Sequence, residues 1–194
     1  MIGNIIVVNG GSSVGKTTLC RALQRTLSEP HLLSGGDIFF LERPPFYLDY
    51  VDDGRVSPES GLVAYFVNEA LAEVHIGPLA LKWNEEMFHA LASWADRGNH
   101  VIVDTVLHSP ELAAGMQRGL GDRPVFHIGV TCPLDEAQRR EIKRGNRAQG
   151  AAVYFHSLAH GHYEYDLKID TAAISTEAAV ERIREELAIR GFVS

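Results

Sequence analysis

An apolar run, Ile5-Ile6-Val7-Val8, leads directly into Asn9-Gly10-Gly11-Ser12-Ser13-Val14-Gly15-Lys16-Thr17, and a helical pattern follows at once. Gly10, Gly15, Lys16 and Thr17 fill the spacing G-x-x-x-x-G-K-[ST] of a phosphate-binding loop, and strand, loop and helix arrive in the order that loop requires. The glycines let the backbone wrap tightly and aim N–H groups at an anion. The helix adds the positive end of its dipole. The spacing predicts a nucleotide cradle formed by Gly10, Gly11, Ser12, Ser13, Val14, Gly15, Lys16, Thr17 and Thr18. Lys16 would reach the β- and γ-phosphates and the Thr17 hydroxyl would hold Mg²⁺.

The remaining apolar runs extend this start into an α/β chain. His31–Leu33, His100–Val106, Val125–Val130 and Asp166–Asp170 read as further strands with helical patterns between them. The run at 101–103 shows no alternation, as expected of a parallel strand covered on both faces. Ser109-Pro110-Glu111 is a helix start, with a capping serine, proline at the first helical position and an acid in the first turn. Ser175 or Thr176 caps the last helix. The prediction is a three-layer α/β fold built on a phosphate-binding loop, a five-stranded parallel sheet with helices on both faces, over residues 1–194 as one domain. Right-handed crossovers bring Gly10, Asp37, Asp104 and Thr131 to one sheet edge.

Residues 38–98 read as an acceptor-binding insertion. Phe39, Phe40, Phe46, Tyr47 and Tyr50 stand there among prolines and acids, Leu62–Val67 and Ala72–Ile76 suggest a hairpin, and a helix opens at Gly77-Pro78. On that helix Leu79, Trp83, Met87, Leu91 and Trp94 share one face, most of it core. Residues 139–160 read as a lid, with Arg139, Arg140, Lys143, Arg144 and Arg147 clustered in a chain whose formal net charge is −7. Arginine forks suit charge on a transferring phosphate, which makes Arg140, Arg144 and Arg147 nucleotide contacts and Arg144 a catalytic one. Asp104 closes an apolar strand where an enzyme with a phosphate-binding loop places its metal-side acid. Asp37, just past Gly35-Gly36, is the candidate base that accepts the acceptor's hydroxyl proton, catalytic together with Lys16. Capping the Ile38–Leu41 segment is a second role open to it.

Other classes fit less well. The acidic balance disfavours nucleic acid and membrane surfaces as partners. Cys20 and Cys132 form no C-x-x-C pair, and no apolar run approaches a membrane span, so a reducing, cytoplasmic setting is expected. Leu33-Ser34-Gly35-Gly36-Asp37 looks like a transport-ATPase signature but comes too early in the chain. His156, His160 and His162 lack a metal-ligand spacing. No N-K-x-D or D-x-x-G motif supports a guanine-nucleotide switch. Oligomeric state is left open, a homo-oligomer included.

The loop, Glu29-Pro30 with the strand ending Gly35-Gly36-Asp37, the run Arg140-Glu141 to Arg144-Gly145-Asn146-Arg147, and His160, Tyr165-Asp166 and Ile169-Asp170-Thr171 together resemble the chloramphenicol phosphotransferase-like family. The resemblance implies transfer of phosphate from ATP (or GTP) with Mg²⁺ to a hydroxyl of a small molecule, with antibiotic inactivation as the known theme. It implies a base at Asp37, phosphate and metal contacts at Lys16 and Thr17, and lid arginines at Arg144 and Arg147. It also implies a fold related to the shikimate and nucleoside-monophosphate kinases. The chain departs from the pattern at Asp104-Thr105, where two adjacent acids are expected, and over 38–76, so chloramphenicol itself does not follow. A metabolic kinase acting on a sugar acid, a shikimate-like acid or a nucleoside is the alternative; Arg43 and Arg55 are the only arginines in 38–76 to meet an anionic acceptor.

Overall fold

The computed structural model describes residues 2–41, 48–51, 62–67, 70–145 and 149–192. Five parallel strands form the main sheet in the order β2 (His31–Gly35), β6 (His100–Thr105), β1 (Ile5–Asn9), β7 (Val125–Thr131) and β8 (Leu167–Asp170). The first strand of the chain is thus the central one, buried over its whole length. Side chains alternate across it, and each face has its own core. Ile6 and Val8 pack with Leu19, Leu23, Ile128 and Ile183, under α1 (Lys16–Thr26) and α7 (Thr176–Ile189). Ile5 and Val7 pack with Phe88, Leu91, Val103 and Met116, under α3 (Pro78–Asp96) and α4 (Pro110–Leu120). This double coverage is why the run at 5–8 carries no polar residue.

Register sets the functional edge. Val8 lies opposite Asp104 and Asn9 opposite Thr105, while Gly35 also lies opposite Asp104. Thr131 faces Asp170 at the other side. All five strands therefore finish toward the same edge, where loops of a parallel sheet gather ligands.

The helix starts follow their sequence signals. Ser109 Oγ accepts from the Leu112 N–H and Ser175 Oγ from the Ala178 N–H, so of the two candidate caps Ser175 is the one used. The apolar face of α3 is rotated from the expected stripe: Met87 and Leu91 are buried as read, but Phe88, Ala92 and Ala95 complete the face. Trp94 is 37% exposed. The part of the 38–98 span from Met87 onward is thus layered into the main core.

A separate three-stranded sheet occupies the irregular middle. β3 (Leu48–Val51) pairs parallel with β4 (Leu62–Val67), which pairs antiparallel with β5 (Ala70–Ile76). The expected hairpin is present, two residues longer than read. β2 ends at Gly35, and Gly36–Leu41 form a short helix, α2, so Asp37 lies in a first helical turn instead of ending a strand or preceding the helix as its cap. The remaining helices are α5 (Leu134–Arg144), whose second half enters the span 139–160 read as a lid, and α6 (Ala151–Leu158), which lies within it. No helix of the described residues is long and apolar enough to cross a membrane.

α3 and α4 cross closely at Gly119, where a Cβ would lie 2.5 Å from Phe88 Cβ and 2.8 Å from the Glu85 carbonyl oxygen. Both contacts are too short for a Cβ, which puts the overpacking in the upper part of the range of about 1–3 kcal/mol, so that it exceeds a helix-propensity gain of about 1 kcal/mol by about 1–2 kcal/mol. Gly119→Ala is expected to lower Tm by about 2–8 °C, at about 2–4 °C per kcal/mol for a chain of this size. An unchanged Tm in a calorimetric scan would show that the crossing is not tight.

Candidate active site

The loop between β1 and α1 is built as an anion hole. Gly15 caps α1 with φ +97° and offers no side-chain acceptor, so the first N–H groups of the helix face the loop unclaimed by a capping side chain. Ser13 is held at φ +60°, the one described non-glycine residue in the left-handed region. Such a residue costs of order 1–3 kcal/mol and tends to mark functional loops. Lys16 is only 9% exposed, and its ammonium donates to the Gly11 carbonyl at 2.7 Å. The hydroxyls of Ser12 and Ser13 are buried without a hydrogen-bond partner among the described residues. An inward cation, unpaired hydroxyls and an open helix start are what a phosphate chain requires.

At the mouth of this loop the Thr17 hydroxyl donates to Asp104 Oδ2 at 2.6 Å. The two residues are 87 apart in sequence and meet because α1 rises beside β6. An alcohol and a carboxylate are hard oxygen donors of the kind Mg²⁺ takes beside phosphate oxygens, so the pair fits that ion. Thr105 is buried and supplies no second carboxylate.

Arg140 of α5 reaches the same loop from the other side. Its Nη1 donates to Thr171 Oγ1 at 2.8 Å and to the Val14 carbonyl at 3.4 Å, and its Nη2 to the Thr171 carbonyl at 3.1 Å. The Thr171 hydroxyl in turn donates to the Val14 carbonyl at 2.6 Å. Arg140 Nε is held by Glu136 at 2.6 Å. Arg139 and Arg140 keep that carboxyl at about 2, fully ionised near neutrality. Beside Arg140 opens a cavity of about 210 Å³, lined by Gly15, Thr18, Leu19, Thr171 and Thr176. Of the three arginines expected at the nucleotide, Arg140 alone is brought to the loop among the described residues. Arg144, at the end of α5, is exposed. Arg147 lies outside the described residues, as do Arg43 and Arg55. The backbone of Asp37 follows two residues after Gly35, which pairs with Asp104; its side chain is outside the described atoms.

Sequence reasoning missed the polar support behind the loop. Asn9 is fully buried. Its Nδ2 donates to the Ala159 carbonyl at 2.6 Å and to the Tyr165 hydroxyl at 2.8 Å, while its Oδ1 accepts from the Leu107 N–H at 2.7 Å. The Tyr165 hydroxyl also meets His160 Nδ1 at 2.7 Å. The one signal in the sequence was a polar amide closing an otherwise apolar central strand. Of the other histidines at this end, His156 Nε2 lies 3.1 Å from the Cys132 carbonyl and His162 Nε2 2.9 Å from that of Leu158. The ring of His108 packs edge-on against Phe155, centroids 4.9 Å apart.

With this geometry in view, the similarities of the chain to known proteins are specific. Residues 3–188 match the family described as chloramphenicol phosphotransferase-like protein. The chain belongs to that family. It is 31% identical over 191 residues to a Mycobacterium tuberculosis H37Rv protein named "Putative O-phosphotransferase Rv2636", covering 94% of this chain and 81% of that one. Among solved structures, a sugar kinase from Janibacter sp. HTCC2649 superposes with a TM-score of 0.66 at 17% identity, over 96% of this chain and 95% of that one. The APS kinase CysC of Mycobacterium tuberculosis, in complex with AMPPNP and APS, gives 0.63 at 15% identity, over 96% and 98%. The fold is that of the phosphate-loop kinases, and the family makes the chain a phosphotransferase of the kinase class.

Burial lowers the pKa of His31, His108, His127 and His160 below 6.5. The unfolded chain therefore takes up more protons than the folded one as pH falls through 6.5. Stability from these neutral imidazoles is complete above that pH and is lost on acidification. A thermal series is expected to show a flat Tm from pH 8 to 7 and a decline below 6.5, shallower in His108→Gln; a Tm that climbs between pH 6.5 and 5 would contradict this.

Proposed function

We propose that the chain transfers the γ-phosphate of Mg·ATP to a hydroxyl group of a small molecule, with a hydroxylated antibiotic as the first acceptor class to test. The observation that carries the reading is the Thr17–Asp104 contact of 2.6 Å at the mouth of a loop whose lysine is turned inward. A hydroxyl and a carboxylate at that point make a cation seat where β- and γ-phosphates would end.

Each residue has a defined task in this reading. Backbone N–H groups of Gly11–Thr18 and the Lys16 ammonium hold the phosphate chain. Thr17 and Asp104 hold Mg²⁺, whose charge offsets that on the phosphate oxygens. The cavity beside Arg140 and Thr171 suits the nucleoside end, in line with the loop's exit into α1. Asp37, on the first turn of α2, takes the acceptor's proton and aims its oxygen in line with the γ-phosphate. Arg144 and Arg147 supply positive charge as phosphate leaves ADP. The acceptor lies toward the small sheet, on the side of α2, and water must be kept from that position if ATP is not to be hydrolysed instead.

The test is turnover of [γ-³²P]ATP with Mg²⁺ against a panel of hydroxylated antibiotics, sugars, nucleosides and oligonucleotides. One acceptor class is expected to take the label and to stimulate ADP release. With that acceptor, Asp37→Ala is expected to lose roughly 10²–10⁴ in rate with little change in the KM for ATP. Full activity in Asp37→Ala removes Asp37 from the chemistry, and label that passes only to water, whatever is added, contradicts the transferase reading.

A further inference from the structure

Arg140 and Glu141 are neighbours on α5, so their side chains leave the helix about 100° apart. Arg140 grips the phosphate loop through Val14 and Thr171. Glu141 turns the other way and is buried, 6% exposed. Its Oε2 accepts from the Gly150 N–H at 3.0 Å and its Oε1 from the Ala152 N–H at 2.7 Å. Those are the cap and second residue of α6, donors that have no acceptor within their own helix. A carboxylate there also meets the positive end of the helix dipole.

The start of α6 is in turn fastened to the small sheet. Gln149 bridges Ala70 in parallel, and its carbonyl accepts from the Leu71 N–H at 2.6 Å. Gly150 has φ +86°, and a Cβ there would lie 2.9 Å from the Leu71 carbonyl oxygen, so backbone is pressed on backbone. One turn further on, the Tyr154 hydroxyl donates to the Val74 carbonyl at 3.3 Å. A continuous set of contacts thus runs from the Val14 carbonyl through Arg140, the body of α5, Glu141 and Gln149-Gly150 to β5. A surface cap would need none of this: Glu141 is buried, uses both oxygens, and joins two helices whose far sides touch different halves of the site.

We propose that Glu141 is a positioning residue that couples the nucleotide loop to the small sheet, so that occupancy of one sets the geometry of the other. The proposal rests on the reading that the loop takes nucleotide. When nucleotide fixes α5 through Arg140, Glu141 fixes the start of α6 and with it the edge of β5. By reciprocity, an acceptor seated on the small sheet steadies Arg140 at the loop by the same free energy. Such coupling needs an element that both ends bias, and the α5–α6 pair is that element.

Hydrogen exchange read by mass spectrometry tests this without any acceptor, using Mg²⁺ and AMPPNP as the probe. In the wild-type chain, peptides covering 10–17 and 70–76 are both expected to gain protection, the latter by about fivefold or more. In Glu141→Gln one carboxylate oxygen becomes an amide NH₂ that cannot accept. The 10–17 gain is expected to stay while the 70–76 gain is lost. Tyr154→Phe leaves the buried carboxylate in place and removes one tie to β5; it is expected to lose part of the 70–76 gain, and serves alone if Glu141→Gln does not fold by circular dichroism. Protection at 10–17 with none at 70–76 in the wild type overturns the coupling, as does full 70–76 protection in the variants. No protection at 10–17 in the wild type overturns the nucleotide reading, and the coupling with it.

Discussion

The amide of Asn9 is the contact on which the rest of the site depends. It stands at the last position of the central strand, one residue before the phosphate loop, and is fully buried. Its three hydrogen bonds reach the turn after β6, the residue that ends α6, and the tyrosine that leads into β8. Leaving one buried donor or acceptor unpaired costs about 1–3 kcal/mol, so a single side chain fixes the loop's origin against three segments at once. Tyr165, itself held by His160, covers Gly129 of β7, where a Cβ would lie 2.8 Å from the ring. The loop starts from a rigid point, which lets Ser13 stay in a left-handed conformation and keeps the Lys16 ammonium inside.

From that point the site divides into two halves that the fold builds differently. The donor half is the edge of a parallel sheet with a core on each face. Thr17, Asp104, Arg140 and Thr171 come from α1, β6, α5 and the segment after β8, and they converge because parallel strands end together. The half we propose for the acceptor consists of α2 and the three-stranded sheet β3–β5, which the α5–α6 pair joins to the donor half. A kinase requires this division, since it must hold one substrate by its charge and another by its shape.

How far the sequence announced this depends on the range of the interactions involved. The runs at 5–8 and 101–103 are covered on both faces and must be apolar, so the positions of β1 and β6 could be read directly. Ser109-Pro110-Glu111 marked α4 because capping is local. The face of α3 was read only in part, since Trp94 fits the periodicity yet is partly exposed while Phe88 and Ala95 meet α4 and the sheet. β3 passed unread: Leu48-Asp49-Tyr50-Val51 is four residues long and is defined by its pairing with β4. Asp37 was placed one element too early because Gly35-Gly36 reads as a strand end, whereas the helix begins at Gly36 itself. The arginine cluster put Arg144 forward as its catalytic member, but only the packing of α5 against the loop shows that Arg140 is the one brought there among the described residues. Beyond the polar amide that closes an apolar run, nothing local announced the contacts of Asn9 or Glu141, since the partners of Asn9 lie 98 to 156 residues away and those of Glu141 lie at the start of α6.

The central claim is that Thr17 and Asp104 form the cation seat of a nucleotide site opening from β1. Calorimetric titration of ATP into the chain, with Mg²⁺ and then with the metal chelated, tests it most directly. The account predicts tight binding that weakens when the metal is removed, and in Asp104→Asn a weaker affinity that no longer responds to the metal. Equal affinity with and without Mg²⁺ in the wild-type chain, or an Asp104→Asn chain that keeps the full metal dependence, would contradict it.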